Sequence, residues 1–176
     1  MKHTLTLLCC FSLCSIPGLA QKKSSGSPMS DQQFVNFAGQ TDMVDANLGQ
    51  LATAVAPSQP IRDYAQKLVT GQTDAFQALS KVAHQSSLNV PSAIDEDHDR
   101  TVIDPLQKLK GAAFDRRFVK AMIEEESRAI EIYKREAAHA QTPALKSYAE
   151  EDLPTLQAQL VEAKKMETMK KSTKKG

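Results

Sequence analysis

Apolar residues recur along four stretches of the chain in alternating steps of three and four. The first stripe is Phe34, Phe37, Thr41, Val44, Leu48, Leu51 and Val55; the second is Ile61, Ala65, Leu68, Gln72, Ala75, Leu79 and Val82. The third buries Phe114, Phe118, Met122, Ala129, Ile130, Tyr133 and Ala137, and the fourth Leu145, Ala149, Leu153, Leu156, Leu160 and Ala163. This spacing puts one apolar face on each of four helices. No stretch alternates as a strand would. Gln72 lies inside its stripe, so the same pattern raises the question of what a polar group does in a core.

The connections decide the topology. Ser30 and Gln33 form a capping box, which predicts a first helix over 31–55. Ala56-Pro57-Ser58-Gln59-Pro60 is a short break, with Ser58 as cap of a second helix over 60–85. The third and fourth helices, 112–140 and 143–166, join through Gln141-Thr142-Pro143, with Thr142 as cap. Between the second and third lie about 25 residues. They hold a shorter apolar segment (Ile94, Val102, Ile103, Leu106, Leu109) that Pro105 should kink or restart after an Asp104 cap. Two tight hairpins with one long crossover make an all-α, ferritin-like four-helix bundle, its crossover between helices 2 and 3 carrying a short extra helix. Pro154 falls within the fourth helix and should bend it.

The first twenty residues change the setting. Met1-Lys2-His3 leads into an apolar run through Leu5, Leu8, Phe11, Leu13 and Ile16, and Gly18-Leu19-Ala20 is a small-x-small cleavage signal. This is the pattern of a secretory signal peptide, too short for a membrane anchor. The expected product is exported, periplasmic or extracellular. Residues 21–29 read as a flexible linker, 30–166 as the bundle and 167–176 as a disordered Lys-rich tail. All three cysteines (Cys9, Cys10, Cys14) lie in the expected leader, so the remaining 156 residues have no disulfide, no thiolate nucleophile and no cysteine metal site. Such a domain is held by its core alone, and it is long enough to build one. Without the leader, basic and acidic residues balance at 21 each, but 162–176 contains six Lys against two Glu. No broad basic surface points to nucleic acid. The Lys-rich tail could touch an anionic envelope surface, each Lys near such a surface contributing about 1 kcal/mol.

The segments Gln33-Phe34-Val35, Asn47-Leu48-Gly49-Gln50-Leu51-Ala52, Tyr64-Ala65-Gln66-Lys67-Leu68-Val69, Gly111-Ala112-Ala113-Phe114-Asp115 and Leu153-Pro154-Thr155-Leu156-Gln157 carry a resemblance. Over about 30–166 the chain resembles the bacterial exported family called domain of unknown function 4142. The resemblance implies export and a ferritin-like fold, and no assigned activity. Members often carry histidines on the middle helices. Here Gln72, Glu126 and Gln159 stand at the matching places.

Three constellations are candidates for chemistry. A di-iron site in this fold needs a Glu from each of two helices and Glu-x-x-His from each of the others. Glu136-Ala137-Ala138-His139 is the one such motif in a bundle helix, at the end of the third; Asp95-Glu96-Asp97-His98 repeats the spacing in the crossover. Glu136 and His139 are therefore weak metal candidates, and no cofactor is expected. The second constellation is Asp45, Gln72, Glu126 and Gln159, one per helix. Pointing inward together, they would bind a hydrated cation or form a hydrogen-bonded knot. The plainer reading is preferred: Asp45, Glu126 and Gln159 sit on stripe edges in water, and Gln72 bonds its neighbours and fixes register. The third comprises Glu124-Glu125-Glu126 and Arg116-Arg117, read as solvated helix faces. Nucleophilic catalysis has no motif to support it. The leading expectation is a non-enzymatic cell-envelope binding or stress-related module. The alternative is a metal-binding ferritin-like oxidoreductase or metal-storage protein; association through a helix face would make a homo-oligomer.

Overall fold

The computed structural model describes residues 29–173, and everything described is helix or connection. The expected signal peptide, most of the linker and residues 174–176 lie outside the described residues. The chain runs α1 (Asp31–Val55), α2 (Gln59–Gln85), α3 (Glu96–His98), a π-helical turn (Asp99–Ile103), α4 (Asp104–Gln107), α5 (Gly111–His139) and α6 (Pro143–Thr173). α1 packs mainly along α2 and α5 along α6; α1 then meets α5, and α2 meets α6. This is the expected bundle of two hairpins, with the crossover between them.

Helix ends follow the sequence signals in part. Ser30 and Gln33 close a complete capping box. Ser58 occupies the cap of α2 without a side-chain bond; its carbonyl instead accepts from the N–H groups of Ile61 and Arg62. Asp104 is the first residue of α4 rather than its cap, because the π-helical turn runs straight into it. α6 continues to Thr173 instead of ending near Met166, so the helix takes in most of the segment expected to be a disordered tail. Lys and Glu are good helix formers, and nothing in 164–173 is Gly or Pro. Pro154 lies inside α6, where it leaves the Glu150 carbonyl without its usual donor.

Two glutamines of α1 fasten the crossover. Gln32 donates to the Asn89 carbonyl (2.7 Å) and accepts from the Asn89 N–H (3.0 Å). Gln40 does the same with the Ala93 carbonyl (2.9 Å) and the Asp95 N–H (3.0 Å). Between them Pro91 packs on Gly39, where a Cβ would lie 2.7 Å from the proline ring. Beside Gln32, Asp31 accepts from the Gln141 N–H (3.2 Å) and from the Thr142 hydroxyl, tying the start of α1 to the α5–α6 turn.

The apolar interior falls into two clusters. One gathers Leu48, Ile61, Tyr64, Leu68, Phe114, Phe118 and Met122 with Leu106 of the crossover. The other gathers Phe34, Leu79, Ile130, Tyr133, Leu145, Tyr148 and Leu156. Burying each large side chain contributes about 1.5–3 kcal/mol, so both clusters are substantial. What lies between them is polar.

Candidate functional site

Each long helix passes from one apolar cluster to the other, and at the crossing it presents polar residues. On α1 these are Asp42 and Asp45, both 1% exposed. On α2 it is Gln72, 2% exposed, and on α5 Glu126, 0% exposed. On α6 Asp152 and Gln159 are half-buried. The positions continue each helix's own inward stripe. Leu145, Ala149, Asp152, Leu156, Gln159 and Ala163 alternate steps of four and three, as do Ala38, Asp42, Asp45, Gly49 and Ala52. The helices therefore direct these side chains inward by periodicity.

This overturns the reading of Asp45 and Glu126 as solvated edges. It also removes Glu126 from the solvated Glu run, in which Glu124 is exposed and Glu125 half-buried. Asp45 and Glu126 are buried at the level of Gln72, with Gln159 half-buried on α6. Asp42 and Asp152 were not singled out from sequence. Their signal was the stripe drawn through small residues (Ala38, Gly49, Ala52, Ala149) instead of large ones.

The layer lacks compensation. Gln72 Nε2 donates to Asp45 Oδ2 at 3.4 Å. Both oxygens of Asp42, Oδ1 of Asp45, both oxygens of Glu126, Oδ2 of Asp152 and Oε1 of Gln159 are buried without a hydrogen-bond partner. No ion pair among the described residues reaches any of them; all seven involve other groups. Taking a carboxylate out of water without a partner costs several kcal/mol, so each group favours its neutral form. Burial pushes the Glu126 carboxyl up to about 10, with Asp45 and Asp152 adding like charge. Burial, then Asp152, then Asp45 holds Asp42 well above the usual carboxylate range. Burial and Glu125 do the same for Asp45. Asp152, less enclosed, rises to about 6 through burial.

Tyrosines flank the layer. The Tyr64 hydroxyl is buried, unpartnered, and raised by burial and by Glu126 and Asp45. On the other side the Tyr133 and Tyr148 hydroxyls lie 3.4 Å apart, and both feel Asp42 and Asp152. Tyr148 also donates to the Ala75 carbonyl at 3.5 Å.

Glu136 and His139 line one small hollow together with Met29, Ile132 and Arg135. Glu136 is buried and raised to about 7 by its enclosure and by Asp31, whereas His139 is exposed. The other described histidines are dispersed: His84 is exposed, and His98 contacts Asp95 through Nδ1 at 2.8 Å. Among the described residues no group of three or more His, Cys, Asp or Glu converges closely enough to hold a metal ion directly. No helix among them is long and apolar enough to cross a membrane.

Two surface hollows lie on the α2–α6 face. The larger, of about 690 Å³, is lined by Pro60, Lys67, Val161, Met166 and others toward the end of α6. The second, of about 340 Å³, is lined by Gly71, Asp74, Ala75, Ala78, Tyr148, Glu151, Asp152 and Thr155. It shares Asp152 with the interior layer.

The family model described as Domain of unknown function (DUF4142) matches residues 17–166. No curated protein matches the chain. Among solved structures, CopM in the Cu(II)-bound form is 16% identical with a TM-score of 0.67, the match covering 79% of this chain and 96% of that one. A DUF305 fragment from Deinococcus radiodurans is 16% identical with a TM-score of 0.65, covering 81% and 97% respectively. At these identities the likeness is one of fold: both neighbours are helical bundles.

Proposed function

We propose, for a chain that belongs to the DUF4142 family, that this bundle is an exported, non-enzymatic cell-envelope module that binds a cation through its interior carboxylate layer. The observation that supports this is a set of carboxyl groups from three helices, buried between two apolar clusters, with oxygens unpartnered and no basic side chain among them. A native interior tolerates few such groups, and an unfilled acceptor set of this size is what a bound ion or a set of held protons would satisfy. A cation offers the stronger compensation, because it answers several carboxylates at once in a medium of low dielectric. The leader-like residues 1–20 support export.

The non-enzymatic reading rests on the donor set. Oxygen donors without histidine or cysteine suit hard, redox-inert ions rather than copper or a di-iron pair. The alternative, a metal-storage or oxidoreductase bundle, takes its support from the shared fold with a protein seen with Cu(II).

Thermal unfolding at pH 8 in chelated buffer, repeated with Mg²⁺, Mn²⁺ or Ca²⁺, tests the proposal. A rise in Tm that saturates with ion and vanishes in Glu126→Gln is the expected result. No shift with any ion would overturn it. Stoichiometric iron or copper, found by elemental mass spectrometry in protein taken from its native compartment, would instead favour the oxidoreductase or storage reading.

A further inference from the structure

α6 carries a second stripe, on the face turned away from the core. Glu150, Pro154, Gln157, Val161 and Lys164 follow one another in steps of four and three, and all are exposed. Glu151, Ala158 and Lys165, also exposed, run alongside at every seventh position. Such spacing is the seam by which two helices pack. Val161 is 67% exposed and Met169 44%, the two most open large apolar side chains among the described residues. Ala158, Val161 and Met169 also line the groove of about 690 Å³, together with Pro60 at the start of α2. The two ends of the stripe carry opposite charge: Glu150 and Glu151 lie about 21 Å along the helix from Lys164 and Lys165. Glu162, beside the basic end, is held by Lys67 across the groove at 2.9 Å. At the acidic end Pro154 withholds the N–H that the Glu150 carbonyl would accept, which adds a backbone acceptor there.

We propose that this face joins two copies of the chain, α6 antiparallel to α6, about a two-fold axis passing between Gln157 and Ala158. The inference stands apart from the cation reading. In that register Glu150 and Glu151 of each copy stand against Lys165 and Lys164 of the other, and Val161 stands against Pro154. Ala158, small and next to the axis, lets the two helices approach. A lysine ammonium of the other copy supplies the donor that the Glu150 carbonyl lacks. A parallel pair would set like charges together, so the pattern selects the antiparallel one. The two-fold makes the surface its own complement. Lys146 competes for Glu150 at 3.8 Å, but an exposed pair of that kind is worth little.

Sedimentation equilibrium of the purified protein, from about 10 µM to about 1 mM at low and high salt, is the test. The mass should rise toward two copies with concentration, and less so in high salt, which screens the end pairs. Val161→Glu adds a carboxylate facing the acidic end and should weaken association at least about tenfold. Lys164→Glu with Lys165→Glu should do the same. Adding Glu150→Lys and Glu151→Lys to that pair exchanges the two ends and should restore the dimer, a recovery that misfolding could not produce. A parent that stays monomeric at low salt up to the highest concentration would overturn the proposal. So would a dimer that survives both the Val161 and the lysine variants, or a fourfold variant that associates no better than the double one.

Discussion

Gln72 Nε2 reaches Asp45 Oδ2 at 3.4 Å across the α1–α2 seam, and this long contact is the one hydrogen bond that any carboxylate oxygen of the interior layer makes. Gln72→Leu removes it and leaves Asp45 with no polar partner. A stranded buried acceptor costs about 1–3 kcal/mol. Urea unfolding should show a loss in that range, with the m-value unchanged.

The carboxyls that burial raises hold protons in the folded chain that the unfolded chain has released. Between the two values the native state binds more protons, so stability is fully present near pH 4 and is lost as pH rises. For Asp152 the loss completes through about pH 6, and for Glu136 through about pH 7. The rise of Asp152 from 3.8 corresponds to a loss on the order of 2–3 kcal/mol. Cation-free protein should therefore melt at a higher temperature at pH 5 than at pH 8, and a maximum at pH 8 would contradict this.

Glu126 behaves differently, because its carboxyl keeps its proton up to about pH 10. Glu126→Gln exchanges one neutral group for another of similar shape. Its Tm in chelated buffer should stay within a few degrees of the parent from pH 5 to pH 8. The variant should differ only when cation is added.

Gly49 sits where α1 packs against Ala65 and Val69 of α2. A Cβ there would lie 2.8 Å from Val69 Cγ2 and 3.0 Å from the Ala65 carbonyl oxygen. Alanine normally gains about 1 kcal/mol over glycine within a helix. Here that gain meets an overpacking cost of about 1–3 kcal/mol, and backbone can give little. Gly49→Ala should be neutral to destabilising in urea, and Gly49→Val clearly worse.

Asp31 is bonded to the Gln141 N–H and the Thr142 hydroxyl, and its charge also raises Glu136. Asp31→Ala should cost about 1–2 kcal/mol through the lost bonds. It should also lower the Glu136 titration midpoint, read by carbon-detected NMR. An unmoved midpoint would leave enclosure alone responsible.

Much of the architecture was legible because the turns and helix starts announce themselves. The Ser30–Gln33 box and the Thr142-Pro143 turn set boundaries that the structure keeps to within a residue or so. The 25-residue gap fixed the long crossover. The site was half legible. Gln72 stood out because apolar residues surround it, and Asp45, Glu126 and Gln159 followed from the one-per-helix pattern. Asp42 and Asp152 escaped because their stripes run through alanine and glycine, which mark a buried face by smallness rather than by hydropathy. The preference for solvated Asp45 and Glu126 followed the usual rule that carboxylates avoid cores. The structure departs from that rule in the interior layer, and again at Asp115 and Glu136 of α5. The length of α6 was missed for a simpler reason: a run of Lys and Glu reads equally well as a helix or as a loose end.

The division of the layer between the hairpins bears on how the protein assembles. Asp42, Asp45 and Gln72 belong to the α1–α2 hairpin, and Glu126, Asp152 and Gln159 to the α5–α6 hairpin. Each hairpin makes its contacts between neighbours in sequence and closes early, whereas the two meet only after the long crossover is spanned. The carboxyls of one hairpin thus lose their water when the other arrives, at the final docking. Interactions formed that late leave the refolding rate almost untouched and appear in the rate of unfolding. Whatever neutralises the layer, proton or ion, acts as a clasp on a finished molecule: it lengthens the native lifetime without guiding the chain to the fold.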